Sequence, residues 1–292
     1  MLAQDPAGDC VGLEHTTKFL VQRLMRTGTI KTALSYAAVT FKPERYASPG
    51  AVDVNAVLAD YRPLDLAAVI GLIYIYRRSR TICPADEWTF VDSQLARHLD
   101  TAMHVGYALT NAGVAAGVFV GGFIPLGQAL FLKHDPQGFK EYRRYLSSKK
   151  ILLDVDFEMS RWGCSSPTLA AFFIQTLGLG LPLAEKFSLG VESVAPDGKG
   201  LDDGAYRFYI VNRWMMSILK SGEIPDMTHQ GRYYPRKVDQ DRLKQLTADA
   251  GATGSRYRWL EKTKDELASS AKTKAVAGPG ESDEIAAALE TE

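Results

Sequence analysis

Apolar residues recur every three or four positions along most of the chain and almost nowhere at every second one. That spacing predicts helices and no sheet, so the expected fold class is all-α. Over 14–41, Phe19, Leu20, Leu24, Leu34, Ala37 and Ala38 stand at helical spacing, with a break predicted at Gly28. Turn residues over 42–53 lead to a short helix over 54–61. Pro63 then opens a helix whose apolar face is Leu66, Val69, Ile70, Ile73 and Tyr76, with Arg77 and Arg78 suited to its C-terminal dipole. After Pro84, Leu95, Leu99, Ala102, Met103, Gly106 and Leu109 mark a long helix over 88–109, with His98 beside the stripe and His104 near the opposite side.

From Val105 to Leu132 no charged residue occurs, and Gly117 and Gly121 form a G-x-x-x-G. The run is long enough to span a bilayer. Thr110, Asn111, Gln128, the Gly121-Gly122 pair and Pro125 interrupt it, so the reading preferred to a membrane-inserted hairpin is a buried hairpin at the centre of a soluble helical domain. Its apolar pieces, 114–123 and 126–131, are expected to break at Pro125, and Gly117 and Gly121 to allow close helix packing.

Downstream, 139–148 is amphipathic and 154–162 is a helix stopped by Gly163. Ser166 as N-cap and Pro167 at the first helical position then begin a helix over 167–177, so apolar that it is expected to be central. Further helices are predicted over 183–191, 205–220 (with Trp214, Met215 and Met216 in the core), 239–250 and 256–269. From about Lys272 the chain is polar and free of aromatics, a composition expected of a disordered tail. The domain organisation expected is an N-terminal helical arm (1–50), a helical core (51–195), C-terminal helices packing on that core (196–271) and the tail (272–292).

Composition narrows the function classes. The 292 residues are 46% hydrophobic, and Lys+Arg and Asp+Glu both total 34, so no global field attracts nucleic acid or an anionic membrane. Three scattered cysteines give neither a disulfide framework nor a thiolate zinc site and fit a reducing cytoplasm. Asp5, Asp9 and Glu14 stand where a signal peptide would be basic and then apolar.

Candidate chemistry is sparse. His134-Asp135 looks like half of a metal site, but beside Pro136 it is expected to be a solvated turn. Asp154, Asp156 and Glu158 lack the glycine and distal Glu of a calcium loop, and complementing a helix N-terminus accounts for them. Ser165 and Ser166 lack a nucleophile elbow, and capping accounts for them. In RYYPRK, Arg232, Tyr233, Tyr234 and Arg236 mix base and aromatic as a protein-docking loop does, a reading preferred to a single-stranded nucleic-acid surface.

From Pro63 to Val191, the succession of a long helix, GGFIPLG, a Phe-Lys-Glu-Tyr helix and EMSRWGCSSPTLAAFFIQTLGLGLP resembles the HDOD family, the HD-related output domain of bacterial signalling proteins. Glu158, Gly163, Ala170, Leu181-Pro182, Gly121 or Gly122, and Gly127 fall on that family's pattern; its customary upstream Asn-Ser dipeptide is missing. In the related HD phosphohydrolases, His and Asp residues converge on a metal. Here Ile124-Pro125 replaces the His-Asp pair and Ser166 a later His, while His98 aligns with the first His.

The resemblance thus implies an HD/HDOD-like helical bundle whose degenerate pocket comprises His98, Ile124, Pro125, Glu158 and Ser166, with no metal and no cofactor. It implies signal transduction, through a protein partner or a small ligand and without catalysis; the charge balance and the interrupted apolar run make neither nucleic acid nor membrane the expected partner. The competing expectation is a divergent metal-dependent phosphohydrolase using His98, His134, Asp135 and His229.

Overall fold

The computed structural model describes residues 15–25, 28, 30, 31, 34, 35, 38, 56, 61–109, 111–194, 196–223 and 225. The chain divides into two compact units, one comprising Ala7–Pro63 with Tyr257–Glu292 and the other comprising Leu64–Arg256. Among the described residues every regular element is helical, so the protein is an all-α, multi-helical bundle.

In the first unit, α1 is His15–Met25. Leu34 and Ala38 are buried, whereas Phe19, Leu20 and Leu24 are exposed. Gly28, where a break is expected, is itself helical and lies three residues beyond the end of α1.

The second unit is built on α2 (Pro63–Ile82), α3 (Ala85–Ala108) and the central run that follows. That run comprises α4 (Val114–Val118), a π turn (Phe119–Phe123) and α5 (Ile124–His134) without interruption. It is the one described helix long and apolar enough to cross a membrane, and it is buried inside the protein over nearly all its length.

The predicted break at Pro125 therefore does not occur. Proline has no N–H to donate and its ring crowds the preceding turn; here a widened turn lies just upstream and puts Pro125 at the start of α5.

Glycines set α3 and α4 backbone to backbone, as the spacing of Gly117 and Gly121 predicts. A Cβ on Gly121 would lie 2.5 Å from the His98 carbonyl oxygen, one on Gly117 would strike that of Ala102, and one on Gly106 that of Gly113. Gly113, the N-cap of α4, has no side chain to satisfy the first amides. Buried Asp65 in the first turn of α2 does so instead, accepting the Ala115 N–H at 2.6 Å.

Around this core run α6 (Pro136–Lys149), α7 (Val155–Trp162), α8 (Ser166–Thr176), α9 (Leu181–Glu192) and α10 (Asp203–Ser221). Gly190 admits the Ala205 carbonyl against α9, and Phe208 meets both Phe187 and Phe119, which fastens α10 to the central helix. Trp214 and Met215 are core, while Met216 is half-exposed.

Two expectations fail in this region. α8 is peripheral rather than central: Ser166, Pro167, Ala170 and Ile174 are buried, but Phe172 is 59% exposed. An apolar composition does not say how many sides a helix buries. The N-cap of α8 is Ser165, which accepts from the Thr168 N–H; Ser166 is already helical.

Candidate functional site

The polar centre of the second unit is Glu158, whose side chain is carried inward by α7. Its helix starts at Asp154, which accepts the Phe157 N–H at 2.8 Å, and stops at Gly163 with φ +74°, a left-handed position that suits glycine. Val155, Glu158 and Trp162 share one stripe, so a carboxylate occupies an apolar row and is 0% exposed. Glu158 stands in the first turn of α7, as the trio's placement at a helix N-terminus leads one to expect, but its side chain is buried in the core.

Four donors from three other helices converge on it. The Ser166 N–H donates to Oε2 at 2.6 Å, and the Ser166 hydroxyl donates to Oε1 at 3.0 Å. Tyr142 on α6 donates its hydroxyl to Oε1 at 2.7 Å, and Gln128 Nε2 on α5 stands 3.5 Å from the same oxygen. The Tyr142 oxygen also accepts the Asp154 N–H at 3.1 Å, so both functions of that phenol are used.

Gln128 and Tyr142 were not identified from sequence. A signal was present: Gln128 is a lone amide in an apolar run, and a buried amide requires a partner.

Aromatic rings close the surroundings. Tyr142 stacks on Phe157 at 5.1 Å and meets Trp162 edge-on at 5.5 Å, and Trp162 stacks on Phe131 at 4.2 Å. On the remaining side Gly127 meets the backbone of Ser166, where a Cβ would lie 2.6 Å from the carbonyl oxygen. Burial pushes the Glu158 carboxyl above its ordinary range, opposed by the bonds from Ser166, Tyr142 and Gln128. Burial also raises the Tyr142 phenol, and the charge of Glu158 adds to this.

The pocket implied by sequence is only partly assembled. Glu158 and Ser166 are bonded directly, and Ile124 and Pro125 are buried as aliphatic packing. His98 lies on α3 opposite Gly121, whereas Ser166 meets the same central helix at Gly127, about 9 Å further along its axis at 1.5 Å per residue. Burial, then the neighbouring Arg97 charge, lowers the His98 imidazole to about 4.

His134 is exposed at the end of α5, and the run from Gly121 to His134 covers about 20 Å, so His98 and His134 stand far apart. Asp135 is more than a solvated turn. It caps α6 through the Gly138 N–H at 2.9 Å and takes Arg161 through Nε at 3.1 Å and a terminal nitrogen at 3.0 Å. Those bonds, the Gly138 amide foremost, hold its carboxyl below the usual range.

Among the described residues no three His, Cys, Asp or Glu side chains are grouped as metal ligands. His229, Arg232, Tyr233, Tyr234 and Arg236 lie outside the described residues.

The class that fold and site define is an all-α bundle with a buried carboxylate network. Comparisons with protein-family models, curated proteins and solved structures returned no match.

Proposed function

We propose that the chain is a non-catalytic, HDOD-like regulatory protein, a helical scaffold that binds a protein partner or small ligand in signal transduction. The observation that carries this reading is the Ser166–Glu158 pair. At the position where the resemblance expects a metal-ligating imidazole, the side chain and amide of Ser166 are both committed to a carboxylate of the same domain. Ile124 and Pro125, at the His-Asp position, are buried and offer no lone pair to a cation. A domain stripped of ligands keeps its fold, because burial of the apolar core supplies the stability.

Binding is the activity left to such a scaffold, and large apolar side chains lie open on α7 to α9: Met159, Phe172, Leu181 and Leu189. The test is metal analysis of the purified protein after exposure to manganese, iron and zinc, together with hydrolysis of phosphomonoester and phosphodiester substrates. Substoichiometric metal and no hydrolysis are expected. One or more equivalents of metal accompanied by hydrolysis would establish the phosphohydrolase instead.

A further inference from the structure

The outer faces of α8 and α9 lie side by side. The Ser165 hydroxyl, at the cap of α8, donates to Glu192 Oε1 at 3.0 Å, and the Thr168 hydroxyl donates to the same oxygen at 3.2 Å. The first turn of α8 therefore meets the last turn of α9, and the pair is an antiparallel hairpin. Ala184, Phe187 and Val191 turn one side of α9 to the core. Leu181, Glu185, Leu189 and Glu192 stand at i, i+4, i+8 and i+11 on its exposed side, a strip about 16 Å long. Phe172 stands one turn beyond Thr168 on the neighbouring exposed strip of α8. Phe172 is 59%, Leu181 51% and Leu189 61% exposed. A single open apolar side chain is ordinary, but three on one hairpin face mark a contact surface. The same face is acidic and has no base of its own. Among the described residues Glu185 has no cation within ion-pair distance, and Glu192 meets only the hydroxyls of Ser165, Thr168 and Ser188. Lys186, the only base from 166 to 192, pairs with Asp202 at 3.6 Å.

We propose that Phe172, Leu181 and Leu189, with Glu185 and Glu192 among them, form a docking surface for a basic amphipathic helix of a partner protein. The apolar stripe of that helix covers the three open side chains, and Lys or Arg at its border takes the two carboxylates. Glu185 and Glu192 stand seven residues apart, about 10 Å along α9, which is the separation of two bases two turns apart on the incoming helix. Other occupants of an apolar face fit less well. A second copy joined by a two-fold axis presents the same face and supplies no base. Anionic lipid and nucleic acid are repelled by the two carboxylates. The inference rests on the scaffold reading and adds to it the surface and the chemistry of the partner.

The experiment uses the full chain and a fluorescein-labelled synthetic helix of Leu and Lys, with Leu at i, i+3, i+4 and i+7 along its length, followed by anisotropy. The comparison probes are the same composition scrambled to remove the apolar stripe, the same peptide with Glu for Lys, and phosphatidylcholine vesicles. The basic amphipathic peptide should bind, and Leu189→Ala and Glu185→Lys should each weaken it about tenfold or more, the loss expected on removing an interface anchor. Asp86→Lys, an equal charge change at an exposed site on α3, should leave binding within about twofold, as an off-site contrast. Circular dichroism establishes that each variant is folded. No binding of the basic peptide, equal binding of the scrambled or the Glu peptide, equal loss in Asp86→Lys, or binding of vesicles in its place overturns the surface. A dimer of the full chain in sedimentation that Leu189→Ala dissociates overturns it in favour of a second copy. The scaffold reading fails on a different result, stoichiometric metal with hydrolysis.

Discussion

Ser166 gives both of its donors to Glu158, the amide to one carboxylate oxygen at 2.6 Å and the hydroxyl to the other at 3.0 Å. This ties the first turn of α8 to the inward face of α7. With Tyr142 and Gln128 it makes one acid the meeting point of four helices.

Removing that acid should be severe. Glu158→Ala would leave the Ser166 amide and the Tyr142 hydroxyl buried without an acceptor, at roughly 1–3 kcal/mol each. The expected loss is about 3 kcal/mol or more, read from urea unfolding at pH 7. Ser166→Ala removes only the hydroxyl and should cost about 1 kcal/mol.

The pH dependence has a definite sign. Burial raises the folded-state Glu158 above its unfolded value of 4.5, so the folded protein holds this proton more tightly. Its contribution is complete below pH 4.5 and is lost as pH rises through the folded value. Wild-type stability relative to Glu158→Gln should therefore fall as pH rises above 4.5. Asp135, Asp154 and Asp202, whose shifts run the opposite way, are common to both proteins and cancel. A difference that is flat or rises with pH would contradict the assignment.

His98 gives the complementary case. Its imidazole is lowered from 6.5 to about 4, so the unfolded chain binds the proton more readily and stability drops as pH falls from 6.5 toward 4. Nitrogen-15 NMR at pH 5.5 should find this ring neutral.

Glycine contacts predict a graded series. Gly121→Ala and Gly127→Ala each place a methyl against a backbone carbonyl and should cost about 1–3 kcal/mol or more through overpacking. Gly163→Ala meets nothing within 4 Å but keeps φ at +74°, and should cost about 1–2 kcal/mol from backbone strain alone. Thermal melts of the three variants check the order.

Much of this architecture was legible because the helical period and the small-residue spacing belong to local sequence. Gly117 and Gly121 pack as their spacing suggests, and Asp154 and Gly163 bound α7 with ordinary capping chemistry. The start of α8 was missed by one residue because Ser165 and Ser166 are chemically equal candidates for the cap, and only the position of Glu158 distinguishes them. Glu158 belongs to the pocket that the resemblance implies, but its donors are hidden in sequence because Asp154, Asp156 and Glu158 together resemble a charge complement to a helix N-terminus. The row Val155, Glu158, Trp162 contained the signal for them, since a carboxylate on an apolar stripe must be met by donors from elsewhere in the fold.

The π turn at Phe119–Phe123 has an effect well beyond its own length. It takes one more residue than an α turn, so every side chain after it sits about 100° less far round the axis than the same sequence in an unbroken α-helix would place it. The single rod offers Gly117 and Gly121 to α3 and, further along, Gly127 to α8. Gln128 owes its aim at the acid to that offset: closing Phe119–Phe123 as an ordinary α-helix with no residue removed would point the lower half of the rod at the wrong neighbour, whereas deleting one residue of the turn would keep its aim.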